Sequence, residues 1–144
     1  MNQNNCFYCI KDERLSNLMI PVCTFSTSTL YLFKDQRYPG RCVLACDKHY
    51  NEIFELSYKE RETMMQDLSK VSKALKLLFH ADKINLAVYG DLVSHFHVYI
   101  VPKTRDGFEW GKPFSDEKEK HFLEDAEYQD RINKIKMALQ DIDI

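Results

Sequence analysis

Apolar positions along the chain follow two periods. Residues 19–25 (MIPVCTF) and 29–34 (TLYLFK) are short runs rich in apolar and β-branched residues, and Arg41 to Cys46 (RCVLAC) is a third, set off by Pro39-Gly40. All three read as strands. Farther along, Met64, Leu68, Val71, Leu75 and Leu78 recur at steps of four and three, which is one face of a helix predicted from about Tyr58 to His80. Ser57 followed by Glu60 makes a capping box at its start, and Ala81-Asp82-Lys83 ends it. Two more strands, Ile84 to Tyr89 and Ser94 to Val101, are joined across Gly90-Asp91, with Pro102 closing the second. A polar and aromatic loop (KTRDGFEWGKPF) leads to a last helix, from about Ser115 or later to Gln140, with Tyr128, Ile132, Ile135 and Leu139 on one face. The stretch to about Asn17 shows neither period and reads as irregular. This order predicts one α+β domain over residues 1–144, built on a mainly antiparallel five-stranded sheet, with 115–144 as a helical tail.

Composition narrows the function classes. The 144 residues are 44% hydrophobic and 29% charged, enough to build a core without disulfide staples. A formal net charge of −2 argues against coating an extended nucleic acid by charge alone, which needs a basic surplus. A single bound nucleotide needs only local donors and stays compatible. The opening MNQNNCFYCIKD lacks an apolar signal core, and no run approaches membrane-spanning length, so a cytoplasmic protein without membrane contact is expected. Five cysteines cannot all pair within one chain, and in a reducing compartment they are free or metal-bound.

The candidate chemistry lies in His95-Phe96-His97-Val98-Tyr99. Strand alternation places His95, His97, Tyr99 and Val101 on one face and the apolar Phe96, Val98 and Ile100 on the other. Two imidazoles roughly 6.5–7 Å apart on one face suit neighbouring but separate tasks. Three readings follow: half-exposed surface histidines, metal ligands, or a nucleophile. Cys6-Phe7-Tyr8-Cys9 has the spacing of two corners of a zinc tetrahedron. A redox pair is disfavoured, because the motif precedes all regular structure. The site needs two more ligands, and His49 and His95, each at the edge of a predicted strand, are the best candidates. Cys23, Cys42 and Cys46 read as small core hydrophobes, with Cys46 able to approach the metal. His80, in the last helical turn, and His121, among charges, receive no function.

These residues resemble the histidine triad (HIT) family across roughly Cys6 to Phe114. Gly90 to Pro102 (GDLVSHFHVYIVP) looks like its signature of alternating histidines and apolar residues. Pro39-Gly40-Arg41-Cys42-Val43-Leu44, Lys48-His49 and Phe54-Glu55-Leu56-Ser57 look like its strand, lysine-histidine turn and helix start, and Cys6-x-x-Cys9 matches its zinc-binding branch. The resemblance implies attack by the middle histidine, His97, on the α-phosphorus of a nucleoside phosphoramidate or dinucleoside polyphosphate. The covalent nucleotidyl-histidine is then resolved by water or another acceptor. It implies structural zinc on Cys6, Cys9, His49 and His95, ribose binding by Asp35, and phosphate or leaving-group contacts from Asp91 and Ser94. It also implies a purine nucleotide as substrate and a homodimer.

Two positions depart from the pattern. Asp91 stands where an amide is usual. Tyr99 replaces the third histidine, where some relatives carry glutamine; its hydroxyl can donate to a phosphate oxygen but carries no charge. Phe108-Glu109-Trp110-Gly111 is similar to tails of some bacterial-type members, and Trp110 is a candidate to stack on a base or a partner subunit. Two alternatives to the enzyme remain: a catalytically weak, zinc-stabilised nucleotide-binding module, and a zinc-organised surface for a protein partner.

Overall fold

A computed structural model describes residues 3–116 and 119–142. Five strands form one fully antiparallel sheet: β1 (Met19–Thr24), β2 (Ser28–Phe33), β3 (Cys42–Cys46), β4 (Lys83–Ala87) and β5 (His97–Lys103), in the spatial order β1-β2-β3-β5-β4. The helices α3 (Tyr58–Leu78) and α4 (Asp125–Gln140) pack against each other and cover one face. The α+β architecture and the antiparallel five-stranded sheet match the sequence expectation.

Side-chain alternation makes the two faces different. Leu30, Leu32, Cys42, Leu44, Phe96, Val98 and Ile100 point toward the helices, where they meet Leu68, Val71 and Leu75 of α3 and Ile132, Ile135 and Leu139 of α4. The opposite face carries Tyr31, Phe33, Val43 and Ala45, and the N-terminal residues Tyr8, Leu15 and Met19 pack on it. The central strands β2 and β3 are therefore buried along their whole length, whereas the edge strand β4 is only half-buried.

The capping box at Ser57 and Glu60 forms as read: the Ser57 hydroxyl accepts from the Glu60 amide, and the Glu60 carboxylate accepts from the Ser57 amide. Glu60 also receives Lys48 Nζ at 2.8 Å and the Tyr50 hydroxyl at 3.0 Å. The start of α3 thereby fixes the turn that follows β3. The helix stops at Leu78, two residues short of the expected His80, which instead takes a left-handed φ of 51°. Gly40, with φ of 86°, lies under this end of α3; a Cβ there would come within 2.4 Å of the Phe79 ring.

Three local expectations are corrected. The N-terminal stretch is helical, with a 3-10 turn at Gln3–Asn5 followed by α1 (Phe7–Ile10) and α2 (Glu13–Leu18). These turns are too short to show a period, and the signal for α2 is its cap, Asp12, whose carboxylate accepts from the Arg14 amide at 3.1 Å. The strand read as Ser94 to Val101 begins only at His97 and runs through Pro102 to Lys103. Ahead of it, the amides of His95 and Phe96 donate to the carbonyls of Val93 and Tyr50 instead of to a ladder. Beyond Ile100 the strand keeps a neighbour on the β4 side alone, the edge situation in which proline is tolerated. Finally, among the described residues the 115–144 tail is helical only from Asp125; ahead of that helix the His121 amide donates to Asp35 Oδ1 and the Gln36 amide to the His121 carbonyl. Among the described residues, no helix is long and apolar enough to cross a membrane.

Candidate active site and metal centre

The face of the sheet opposite α3 and α4 gathers the polar and aromatic residues. At one end, Cys6, Cys9, His49 and His95 bring their ligand atoms within 4.8 Å of one another. Cys6 Sγ lies 3.4 Å and Cys9 Sγ 3.6 Å from His95 Nδ1, Cys9 Sγ lies 3.3 Å from His49 Nδ1, and the two Nδ1 atoms are 3.3 Å apart. Ligands about 2.0–2.3 Å from a common tetrahedral centre lie roughly 3.3–3.8 Å from one another, and these four distances fall in the range of a zinc tetrahedron.

Outer contacts support the same reading. His95 Nε2 donates to the Cys46 carbonyl at 2.7 Å, which leaves the Nδ1 lone pair directed at the thiols. Burial, with His49 and His97 adding to it, pushes the His95 pKa down to about 4, so this imidazole is neutral at pH 7, the form that ligates. Burial raises the Cys9 thiol to about 11. A metal arriving at the site must therefore displace its proton. The Cys46 thiol is not in the quartet; its Sγ lies 3.4 Å from Met64 Sδ.

Two residues on, His97 opens β5, paired with Ala45 of β3. Its Nδ1 donates to the His95 carbonyl at 2.5 Å. That bond sets the tautomer and leaves Nε2 as the free lone pair. Burial lowers its pKa, against a smaller opposing effect of the carbonyl, and a neutral, fixed imidazole is what nucleophilic attack requires. Tyr8, from inside the C-x-x-C turn, lies across both rings, with centroids 4.9 Å from His95 and 5.1 Å from His97. Tyr99 follows on the same face, 5.3 Å from the His97 ring. Burial raises the pKa of its hydroxyl, which keeps it a donor at neutral pH.

Residues 21–106, well over half of the chain, match the HIT domain family model. The chain belongs to the HIT domain family. Its fold superposes on a histidine triad protein from Bradyrhizobium japonicum with a TM-score of 0.82 at 26% identity, covering 89% of this chain and 96% of that one. More distant likenesses, which bear on the fold alone, include a zinc-bound histidine triad family protein from Mycobacterium smegmatis (TM-score 0.64, 16% identity, 96% of each chain). They also include a Plasmodium falciparum diadenosine triphosphate hydrolase (TM-score 0.63, 17% identity, 83% of this chain and 76% of that one). No curated protein matches the sequence.

The remaining site residues expected of a HIT domain are distributed unevenly. Ser94 stands just ahead of the two histidines, its hydroxyl donating to Asn51 Oδ1 at 2.8 Å. Asp91 is exposed in the same loop. Asp35 is not the open acceptor that ribose binding requires: it is 2% exposed. Arg37 Nε contacts both of its oxygens, and the His121 amide donates to it at 3.0 Å. Burial alone would raise its pKa, but these donors hold it below the usual carboxylate value. Trp110 lies away from His97 within the chain. Lys103 Nζ donates to the carbonyls of Glu109 and Lys112, so the loop folds back around the far end of β5. Trp110 there lines a cleft with Lys83, Asn85, Lys103 and Lys112. Lys103 is six residues along the strand from His97, or about 20 Å, so within one chain Trp110 does not reach the nucleophile.

Sequence reasoning missed two residues of this face. Tyr8 was read only as a spacer within C-x-x-C, and Arg41 only as the first residue of a strand. A charged residue at the head of the otherwise apolar run RCVLAC was the signal for Arg41.

Proposed function

We propose that this protein is a nucleotide hydrolase or nucleotidyl transferase that acts at the α-phosphate of nucleoside phosphoramidates or dinucleoside polyphosphates. The observation that carries this reading is the His97 imidazole, buried and neutral, with Nδ1 tied to the His95 carbonyl and Nε2 left with its lone pair. Nε2 attacks the α-phosphorus, the bond to the leaving group breaks with its electron pair, and a nucleotidyl-histidine forms. Water or another acceptor then attacks the same phosphorus and regenerates the imidazole, dividing one displacement into two easier ones. Ser94 and Tyr99, on either side of His97 in sequence, are proposed phosphate contacts through their hydroxyls. Asp91 is proposed to face the leaving group, turned away from the phosphate.

Cys6, Cys9, His49 and His95 would hold zinc as a closed four-ligand site, whose chemistry is structural. It would fasten the N-terminal turns beside β5 and, through Tyr8 and the His95 carbonyl, hold His97 in place. The zinc-bound Mycobacterium smegmatis relative supports the metal, and the hydrolase from Plasmodium falciparum supports the substrate class. A homodimer is the proposed assembly. The half-buried edge strand β4 and the segment after it, with Leu86, Val88 and Leu92 exposed, offer an apolar seam for a second copy.

The deciding experiment is incubation of the protein with a panel of nucleoside phosphoramidates and dinucleoside polyphosphates, followed by intact mass spectrometry and assay of released nucleotide. Wild-type protein is expected to show a nucleotidyl adduct and release nucleoside monophosphate. His97→Ala should lose both, its turnover falling roughly 10⁴-fold or more. Tyr99 in place of a third histidine favours a second reading, a binding module of weak turnover. Nucleotide binding with neither adduct nor release would establish that one instead.

A further inference from the structure

Arg41 is a cation of unusual placement on the candidate active face. It precedes β3, and its side chain is 0% exposed. The guanidinium carbon lies 4.1 Å from the Phe33 ring, 5.3 Å from the Tyr99 ring and 5.4 Å from the Phe114 ring. Tyr99 thus touches His97 on one side and Arg41 on the other, each at 5.3 Å.

The hydrogen bonding of this group is incomplete. Nη2 donates to Asp116 at 2.8 Å, while Asp35, already paired with Arg37, comes no closer than 3.8 Å to Nη1. Among the described residues, Nε and Nη1 are buried and find no hydrogen-bond partner. Buried N–H groups of a cation are ordinarily satisfied, because leaving them unmade forfeits their hydration with no return. The ring faces around Arg41 offset part of its charge but supply no in-plane acceptors for the guanidinium fork. Among the described residues the closest carboxylate is Asp116, whose side chain is 60% exposed, on the loop that also places Phe114 against Tyr99.

We propose that Arg41 binds the phosphates beyond the α-phosphate of a nucleoside polyphosphate, and that Asp116 occupies the guanidinium in their absence. This rests on the reading of His97 as the nucleophile for an α-phosphate. A phosphate chain running along the face from His97 past the Tyr99 ring would meet the guanidinium next, and a phosphate offers several acceptor oxygens where Asp116 offers one close contact. Arginine suits this task because its planar fork matches phosphate oxygens in pairs. The charge that Tyr99 does not carry is thereby provided by the next residue on the face. A nucleoside phosphoramidate, with nothing beyond its α-phosphate but an amine, makes little use of Arg41. The site consequently discriminates in favour of polyphosphate substrates.

The test compares wild type, Arg41→Met and Asp116→Asn on two substrates, adenosine phosphoramidate and diadenosine tetraphosphate, and measures binding of inorganic tripolyphosphate by calorimetry. Arg41→Met is expected to lower kcat/KM for the tetraphosphate roughly 10- to 100-fold more than for the phosphoramidate, the range of a charge-assisted hydrogen bond. Asp116→Asn, at an exposed position, should tighten tripolyphosphate binding and lower the tetraphosphate KM. It keeps the question open to decision if Arg41→Met does not fold. Equal losses on both substrates, or tripolyphosphate binding that Asp116→Asn leaves unchanged or weakens, would overturn the proposal and leave Arg41 a structural cation. The two readings fail separately. Tripolyphosphate binding needs no turnover, so its response to Asp116→Asn can hold even without a nucleotidyl adduct. Conversely, an adduct can form on His97 while the substrate ratio ignores Arg41.

Discussion

The two faces of the sheet are built by different rules. The face under α3 and α4 is apolar from Val22 to Ile100 and touches helix residues of the same kind. The opposite face assembles two thiols, three imidazoles, several tyrosines and a buried arginine around β5 and the residues just ahead of it. The first is stabilised by burial that any well-shaped hydrocarbon supplies. The second holds polar groups at fixed distances and stays favourable only while each has its partner. Damage to the first should cost stability alone, whereas damage to the second should reach chemistry as well.

Removing the proposed zinc is the largest way to break that contrast. Chelation, or Cys9→Ser, should leave the helical face intact while releasing α1 and Tyr8 from the His95–His97 segment. The expected loss is several kcal/mol, a fall in Tm of roughly 10 °C or more, measured by calorimetry with and without added Zn²⁺. Because metal must displace the Cys9 proton, zinc affinity should rise with pH up to the region of its raised pKa of about 11, which a competitive chelator titration would reveal.

Leu75→Ala tests the other face. Leu75 is wholly buried between α3 and the sheet, so its truncation should cost about 2–5 kcal/mol by denaturant unfolding. Activity per folded molecule should stay near the wild-type value. A large fall in kcat there would mean that the two faces are coupled more tightly than their composition implies.

The smallest effect concerns the join between helix and metal corner. Hydrogen bonds from Lys48, Ser57 and Tyr50 hold Glu60 at about 2, below its ordinary 4.5. A depressed carboxylate contributes stability that is present above the unfolded value and lost as pH falls through the folded one. The Tm of the wild type should therefore decline between pH 4.5 and 2 by more than that of Glu60→Gln, the two curves converging at the acid end.

Much of this was legible in the chain itself. The steps from Met64 to Leu78, the Ser57–Glu60 box and the alternation of His97, Val98, Tyr99 and Ile100 are local patterns, and each appears in the structure where it was read. The N-terminal helices were not legible, because four- and six-residue helices are set by caps and by what they pack on, not by periodicity. The surroundings of Asp35 and Trp110 were not legible for a related reason. A position beside a strand does not reveal which way a loop returns, and here Arg37 and the His121 amide closed over Asp35 while Lys103 drew Trp110 to the far end of β5.

The sequence by itself determined the fold class, the His95–His97 segment that leads into the last strand, and four residues, two cysteines and two histidines, able to make a metal site. Secondary-structure period and ligand chemistry are properties of short segments. Only the tertiary structure decided that His49 and Cys9, 40 residues apart, meet at 3.3 Å, that the His95 carbonyl fixes the His97 tautomer, and that Arg41 lies beside the Tyr99 ring with two nitrogens that find no partner among the described residues. Distances between segments remote in sequence follow from how the sheet and its loops close. That closure depends on the packing of the whole chain at once.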